Sequence, residues 1–298
     1  MKIKERTHAG KVTIIGRPSV GKSTLVNNIC NAPVSIISDS PQTTRNQIKG
    51  IYTTLQGQIV FLDTPGIYGS QKRFNKHLMA LVRKALTSCH LILYLIDSTR
   101  PPGDEEKSVA TFIQNTSLPY ILVLNKIDHT ASNMDFYHEF LTGLRKPYAQ
   151  HYISALKKIG LQALIDNILN VLPESELLYP KDVYTDQTME FKIAEIVRAS
   201  ALRFLRKELP YAFFTYCTNV LHPNKDHPIP IVWVTIYVEQ ESQKGILVGK
   251  RGSMIQKIRC ESESQLKKIF PYPIQLHLRV KKKPNWKKND MLLKKIIY

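Results

Sequence analysis

The 298-residue chain is long for one hydrophobic core and comfortable for two. Its four cysteines, Cys30, Cys89, Cys217 and Cys260, have no paired spacing, which excludes a disulfide framework and a zinc site. Apolar runs such as IVWVTIYV fall far short of a bilayer span, and MKIKERTHAGK lacks a signal-peptide core, so a soluble, cytoplasmic protein is expected.

Charge is unevenly placed. Of the net +18, residues 244–298 hold 15 Lys and Arg against 3 Asp and Glu, a density that draws in a polyanion, either nucleic acid or an acidic membrane face.

From Lys11 to about Pro173, short aliphatic runs alternate with helical patterns, the rhythm of parallel strands joined by crossover helices. VTII (12–15), IVFL (59–62), LILYLI (91–96), YILVLN (120–125) and HYIS (151–154) are the predicted strands, apolar enough for a sheet covered on both faces. Between the first strand and the helical pattern STLVNNIC stands GRPSVGKS, which fits G-x-x-x-x-G-K-[ST]. Gly16, Arg17, Pro18, Ser19, Val20 and Gly21 let backbone N–H groups face phosphate oxygens, Lys22 reaches the outer phosphates, and Ser23, followed by Thr24, offers a hydroxyl to Mg2+.

In SPQTTRN (40–46), Thr43 and Thr44 sit in a polar loop suited to sensing a γ-phosphate, and Thr44 is the preferred magnesium ligand. DTPG supplies Asp63 as the acidic partner of the ion, Thr64 and Pro65 as the turn, and Gly66, whose N–H approaches the γ-phosphate. Lys22, Thr44 and Gly66 thereby form the candidate catalytic set. Ile67 follows, where many such enzymes place a water-orienting glutamine, so intrinsic turnover is expected to be slow.

NKID follows the strand at 120–125. The Asp128 carboxylate accepts two hydrogen bonds from guanine N1–H and its exocyclic amine, a pair adenine lacks, while Asn125 and Lys126 brace the loop. Ser154, Ala155 and Leu156 close the next strand, where a backbone N–H can reach guanine O6.

PESELLYPKDVYTDQT, with two prolines and no sustained period, reads as a linker. From Met189 to Leu209, Ile193, Ile196, Val197, Ala201, Phe204 and Leu205 recur at helical spacing before Pro210. FFTYCTNV and IVWVTIYV are predicted strands, GSMIQKIRCESESQLKKIF a helix, and PIQLHLRVK a last strand with Arg279 and Lys281 on its open side. In VGKRGS, Gly249 and Gly252 bracket Lys250 and Arg251 between helical patterns, the G-x-x-G loop that lets a chain approach the backbone of about four unpaired nucleotides. With Lys257, Arg279 and Lys281 as further cations, and Trp286 either a stacking platform or a residue packed on the domain, unpaired RNA is the expected ligand.

These motifs in order, GRPSVGKS, PQTTR, DTPG, NKID, SAL and VGKRG, resemble the Era family of bacterial GTPases over essentially the whole chain. The resemblance implies an α/β fold: a P-loop, Ras-like GTPase domain (1–175), a linker (176–188), and an α+β type II KH domain of α-β-β-α-α-β order with a basic tail (189–298). It implies GTP, GDP and Mg2+ as ligands, small-subunit ribosomal RNA near its 3′ end and the 30S subunit as partners, and a monomer that can touch the inner face of the cell membrane. Ser19 departs from the asparagine usual among relatives, where it helps hold potassium, so potassium stimulation is expected to be weak or absent.

Overall fold

The computed structural model describes residues 7–37, 44–67, 73–133, 135–205 and 209–296. The chain divides between Asp186 and Gln187 into two compact units, each with its own core.

The first unit runs β1 (His8–Ile15), α1 (Lys22–Cys30), β2 (Ile48–Thr53), β3 (Gly57–Asp63), α2 (Arg73–Thr87), β4 (Leu91–Asp97), α3 (Asp104–Gln114), β5 (Tyr120–Asn125), α4 (His138–Thr142), β6 (Ala149–Ile153) and α5 (Leu161–Val171). The sheet order is β2-β3-β1-β4-β5-β6, with β2 antiparallel and all other pairs parallel. Every residue of β3, β4 and β5 is buried, as their unbroken aliphatic runs require of strands covered on both faces. The predicted strand over 151–154 forms one residue earlier at its end, at Ile153.

β2 is the element that sequence periodicity does not single out. IKGIYT is short and interrupted by Lys49 and Gly50, and it becomes a strand because β3 offers it an open edge across a tight turn closed by Thr54 N–H on Gly57 O at 2.8 Å. Cross-sheet register then does the positioning. Ile14 stands opposite both Asp63 and Leu93, Asp97 opposite Asn125, and Asn125 opposite Ile153, so the carboxyl ends of five strands finish along one edge.

The stretch read as a linker is held along this unit as far as Asp186. Gln58, fully buried in β3, accepts N–H bonds from Leu178 and Tyr179 at 2.9 Å and donates to Tyr179 O at 2.9 Å. Ile51 N–H donates to Tyr184 O at 2.9 Å, and the Lys49 ammonium pairs with Asp186. Burying the Gln58 amide is tolerable only because the passing chain satisfies it.

The second unit runs α6 (Met189–Phe204), α7 (Leu209–Ala212), β7 (Phe213–Leu221), β8 (Ile231–Val238), α8 (Glu241–Val248), α9 (Ser253–Ile269), β9 (Gln275–Lys282) and α10 (Asp290–Ile296). Thr188 caps α6 by accepting the Phe191 N–H, and Ile193, Ile196, Val197 and Ala201 are buried as their spacing predicts. The helix stops at Phe204, short of the Leu209 expected from the pattern, and Pro210 falls in the short α7. In the sheet β7-β8-β9, β8 runs antiparallel to β7 and parallel to β9. Val232, Val234, Ile236, Val238 and Leu276 face a core shared with α6, α8 and α9, and the alternate residues form the opposite face.

Candidate functional site

At the carboxyl edge of the first sheet, the loop from Gly16 turns into α1 at Gly21, whose φ of 101° and approach to Asn125 leave no room for a side chain: a Cβ there would lie 2.5 Å from Asn125 Nδ2. Lys22 is buried, its ammonium donating to Gly16 O at 3.1 Å and Arg17 O at 3.0 Å across the loop. Desolvation by burial draws its pKa down to about 8, against the pull of Asp63 and of Glu106 and Glu105.

That lowered value carries a pH prediction. Phosphate oxygens beside Lys22 favour its charged form, so below pH 8 the group is protonated with or without nucleotide and affinity is flat. Above about 8 the empty site holds mostly neutral lysine and binding takes up a proton, roughly 0.8 per site at pH 8.5, so affinity falls as pH rises. Calorimetry in two buffers of different ionisation enthalpy reads that uptake; heats that do not depend on the buffer would refute it.

Three side chains from three segments meet beside this lysine. Ser23 Oγ donates to Asp63 Oδ2 at 2.8 Å and lies 3.0 Å from Thr44 Oγ1. Burial raises the Asp63 pKa, opposed by the Ser35 and Ser23 hydroxyls and by Lys22. Asp63 Oδ1 is buried beside the Ser35 hydroxyl, yet neither atom completes a hydrogen bond of normal geometry. A carboxylate oxygen left in this state next to two hydroxyls has the donor set of a hard dication, so these residues fit Mg2+. Thr43, the other threonine considered, lies outside the described residues.

Thr64 is buried with its hydroxyl on Ile14 O at 2.7 Å, which fixes the turn into Pro65 and Gly66, and Ile67 N–H reaches Gly16 O at 3.4 Å. Ile67 itself is 1% exposed, so its side chain is spent on packing. Ser19 is exposed at φ 61°, and Val20 is buried beneath the loop.

At the far side of the edge, Asn125 donates to Val20 O at 2.8 Å and accepts the Ala155 N–H at 2.8 Å, clamping the phosphate loop to the Ser154–Leu156 turn. The Ala155 N–H is thereby occupied, Ser154 Oγ accepts from Lys157 N–H at 2.9 Å, and Leu156 is exposed. Lys126, at φ 70°, places its ammonium 2.8 Å from Asp97 Oδ2, and Asp128 is exposed at the loop's end.

The Arg17 side chain turns away from the phosphate loop. Its guanidinium is buried on Pro101 O, Arg100 O and Tyr137 OH, each at 3.0 Å, and pairs with Glu106 at 3.1 Å, so it joins the site through its main chain alone. The arginine's charge needs buried partners, and α3 provides them. Asp97 is the residue that sequence reasoning missed. It binds Lys126, Thr99 and Arg100, and against desolvation by burial the bonds from Lys126 and Thr99 lower its pKa. Its position at the end of LILYLID, matching Asp63 at the end of IVFLD, is the signal that could have found it.

In the second unit, α8 ends at Gly249 (φ 74°, ψ 170°), where an added Cβ would meet the Met254 backbone N at 2.7 Å. Lys250 and Arg251 are exposed in the turn, with Arg251 at φ 51°, Gly252 opens α9, and Lys257 is exposed one turn on. Arg279 and Lys281 are not brought to this loop. They project from the face of β9 opposite the one packed on α8 and α9. Trp286 corrects the expectation of a stacking platform: it is 1% exposed, packs on Phe214 at 4.9 Å between centroids, and donates its indole N–H to Ala212 O at 3.3 Å. Burying an indole with its single donor satisfied outweighs leaving it in water.

Fold and site together define a P-loop GTPase domain joined to a KH domain. Residues 11–126 match the family model of 50S ribosome-binding GTPases, and residues 209–287 match a KH domain model. GTPase Era of Treponema denticola is 42% identical over 98% of this chain and 100% of its own length, and that of Borrelia hermsii 43% over 97% and 99%. Among solved structures, an Aquifex aeolicus Era variant bound to GDP and AlF4− aligns with TM-score 0.91 and 32% identity over 97% of this chain and 99% of that one. Era in complex with MgGDPNP and nucleotides 1506–1542 of 16S ribosomal RNA aligns with TM-score 0.92 and 33% identity over 97% and 98%. The chain belongs to the Era family of GTPases.

Proposed function

We propose that this chain binds GTP with Mg2+, hydrolyses it slowly, and uses the nucleotide state to govern capture of unpaired small-subunit ribosomal RNA near its 3′ end during 30S assembly. The observation that carries the nucleotide half is the convergence of Ser23, Thr44 and Asp63 beside Lys22, under a phosphate loop clamped by Asn125. In this reading Ser23, Thr44 and Asp63 would hold the ion, which would supply positive charge to the phosphates. Lys22 and the Gly66 N–H meet the outer phosphates, Asp128 selects guanine, and a backbone N–H of the Ser154–Leu156 turn meets guanine O6.

The RNA half is supported by the exposed Lys250 and Arg251 within the Gly249–Gly252 turn and by the solved Era complex, which contains 16S ribosomal RNA nucleotides. Among the described residues no helix is long and apolar enough to cross a membrane, and the basic second unit supports peripheral contact with an anionic lipid face. Crosslinking in cells followed by sequencing of the attached RNA tests the reading. Reads should pile up near the 3′ end of the small-subunit RNA and be lost on substitution of Asp128; an unenriched spread of RNA would refute it.

A further inference from the structure

Arg279 and Lys281 need another explanation once they are seen to lie away from the glycine loop. β7, β8 and β9 contain no Asp or Glu, and the side of the sheet turned away from the helices carries aromatic and cationic groups together. Trp233 stacks on His277 with centroids 5.4 Å apart and planes 13° from parallel. Beside it a hollow of about 330 Å³ is lined by Thr218, Asn219, Trp233, Thr235, Arg279 and Lys281. The far end of this face is closed by buried Trp286, which packs on Phe214, itself stacked on Tyr237 at 4.8 Å. The hollow is therefore a bounded place on the sheet.

We infer that this face is a second RNA subsite, taking one unpaired nucleotide of the same strand or a neighbouring one, with its base against Trp233 and its phosphate between Arg279 and Lys281. The chemistry chooses the occupant. A flat indole in a fixed orientation offers a surface for a base, the Asn219 amide and the Thr218 and Thr235 hydroxyls can meet base edges or the ribose 2′-OH, and two cations with no acid on the strands suit a phosphodiester. A bulge between Cys217 and Asn219 sets Thr218 and Asn219 at the rim, turning a flat sheet into a recess. The inference rests on the reading that the second unit takes RNA.

The test uses the full chain with guanine nucleotide present and two unpaired RNA oligomers, one of about six nucleotides to fill the glycine loop and one of about twenty. Trp233 emission should be quenched on adding the longer oligomer, and W233F should remove the quenching while Trp286, being buried, does not respond. R279Q with K281Q should weaken the longer oligomer about tenfold, flatten its log affinity against log salt slope by about 0.7 for the one phosphate released, and leave the shorter one unchanged. Unaltered slope and emission in a protein whose Lys250 and Arg251 substitutions do abolish binding would overturn the second subsite alone. No binding of either oligomer by the unsubstituted chain would overturn the RNA reading and this inference with it. Quenching by anionic phosphatidylglycerol vesicles but by neither oligomer would assign the face to lipid instead.

Discussion

Replacing Asp128 by Asn is expected to lower GTP affinity about 10² to 10⁴-fold and to turn preference toward xanthosine triphosphate. A carboxylate acceptor satisfies both the N1–H and the exocyclic amine of guanine, and hydrogen bonds to a charged group contribute about 1.5–3 kcal/mol each. The amide removes the bond to the exocyclic amine, sets a donor against that amine and turns the remaining acceptor from charged to neutral, together about 3–6 kcal/mol, which at tenfold per 1.4 kcal/mol gives that range. An amide keeps an acceptor for N1–H and offers an N–H donor where xanthine carries a carbonyl. Because Asp128 is exposed while Asn125 and the Lys126–Asp97 pair hold the loop, folding stability should be untouched. Competition of GTP, xanthosine triphosphate and ATP against a fluorescent GTP analogue measures the outcome. Retained GTP preference, or ATP competing as well as GTP in the native chain, would refute the assignment.

Reversing charge at the glycine loop, K250D with R251D, should weaken unpaired RNA about 10² to 10³-fold at moderate salt. Two phosphate contacts are lost and two repulsions are added, and the salt slope should shrink by about 1.4 from the lost contacts alone. Both side chains are exposed, so thermal stability should hardly move. Arg251 sits in the left-handed region, where aspartate is tolerated better than most residues, which guards against a merely conformational effect. Fluorescence anisotropy across a salt series reads affinity and slope together, and an unchanged slope would show that these cations do not face phosphates.

Asp63 and Asn125 could be placed at one sheet edge from sequence because each closes a buried aliphatic run, and parallel strands present those ends together. The phosphate loop was legible for a similar reason, since a glycine-bracketed turn between strand and helix has few other uses. The side chains of Arg17 and Trp286 could not be oriented from sequence, because motif membership and composition say nothing about direction. Only the packing of α3 shows that Arg17 points inward to Glu106, and only the end of the second sheet shows that Trp286 is covered.

The amino-acid pattern by itself determined the order of the nucleotide motifs, the buried strands, and the concentration of positive charge in the last fifth of the chain, because local periodicity and backbone chemistry act over a few residues. Tertiary structure decided which residues share a surface. It seated Thr44 against Ser23, enlisted Asp97 to hold Lys126, folded the supposed linker around Gln58, and separated Arg279 and Lys281 from the glycine loop by the thickness of a sheet. A strand's alternation shows that two faces exist, but which of them the helices cover is settled only when distant segments compete to bury their apolar sides.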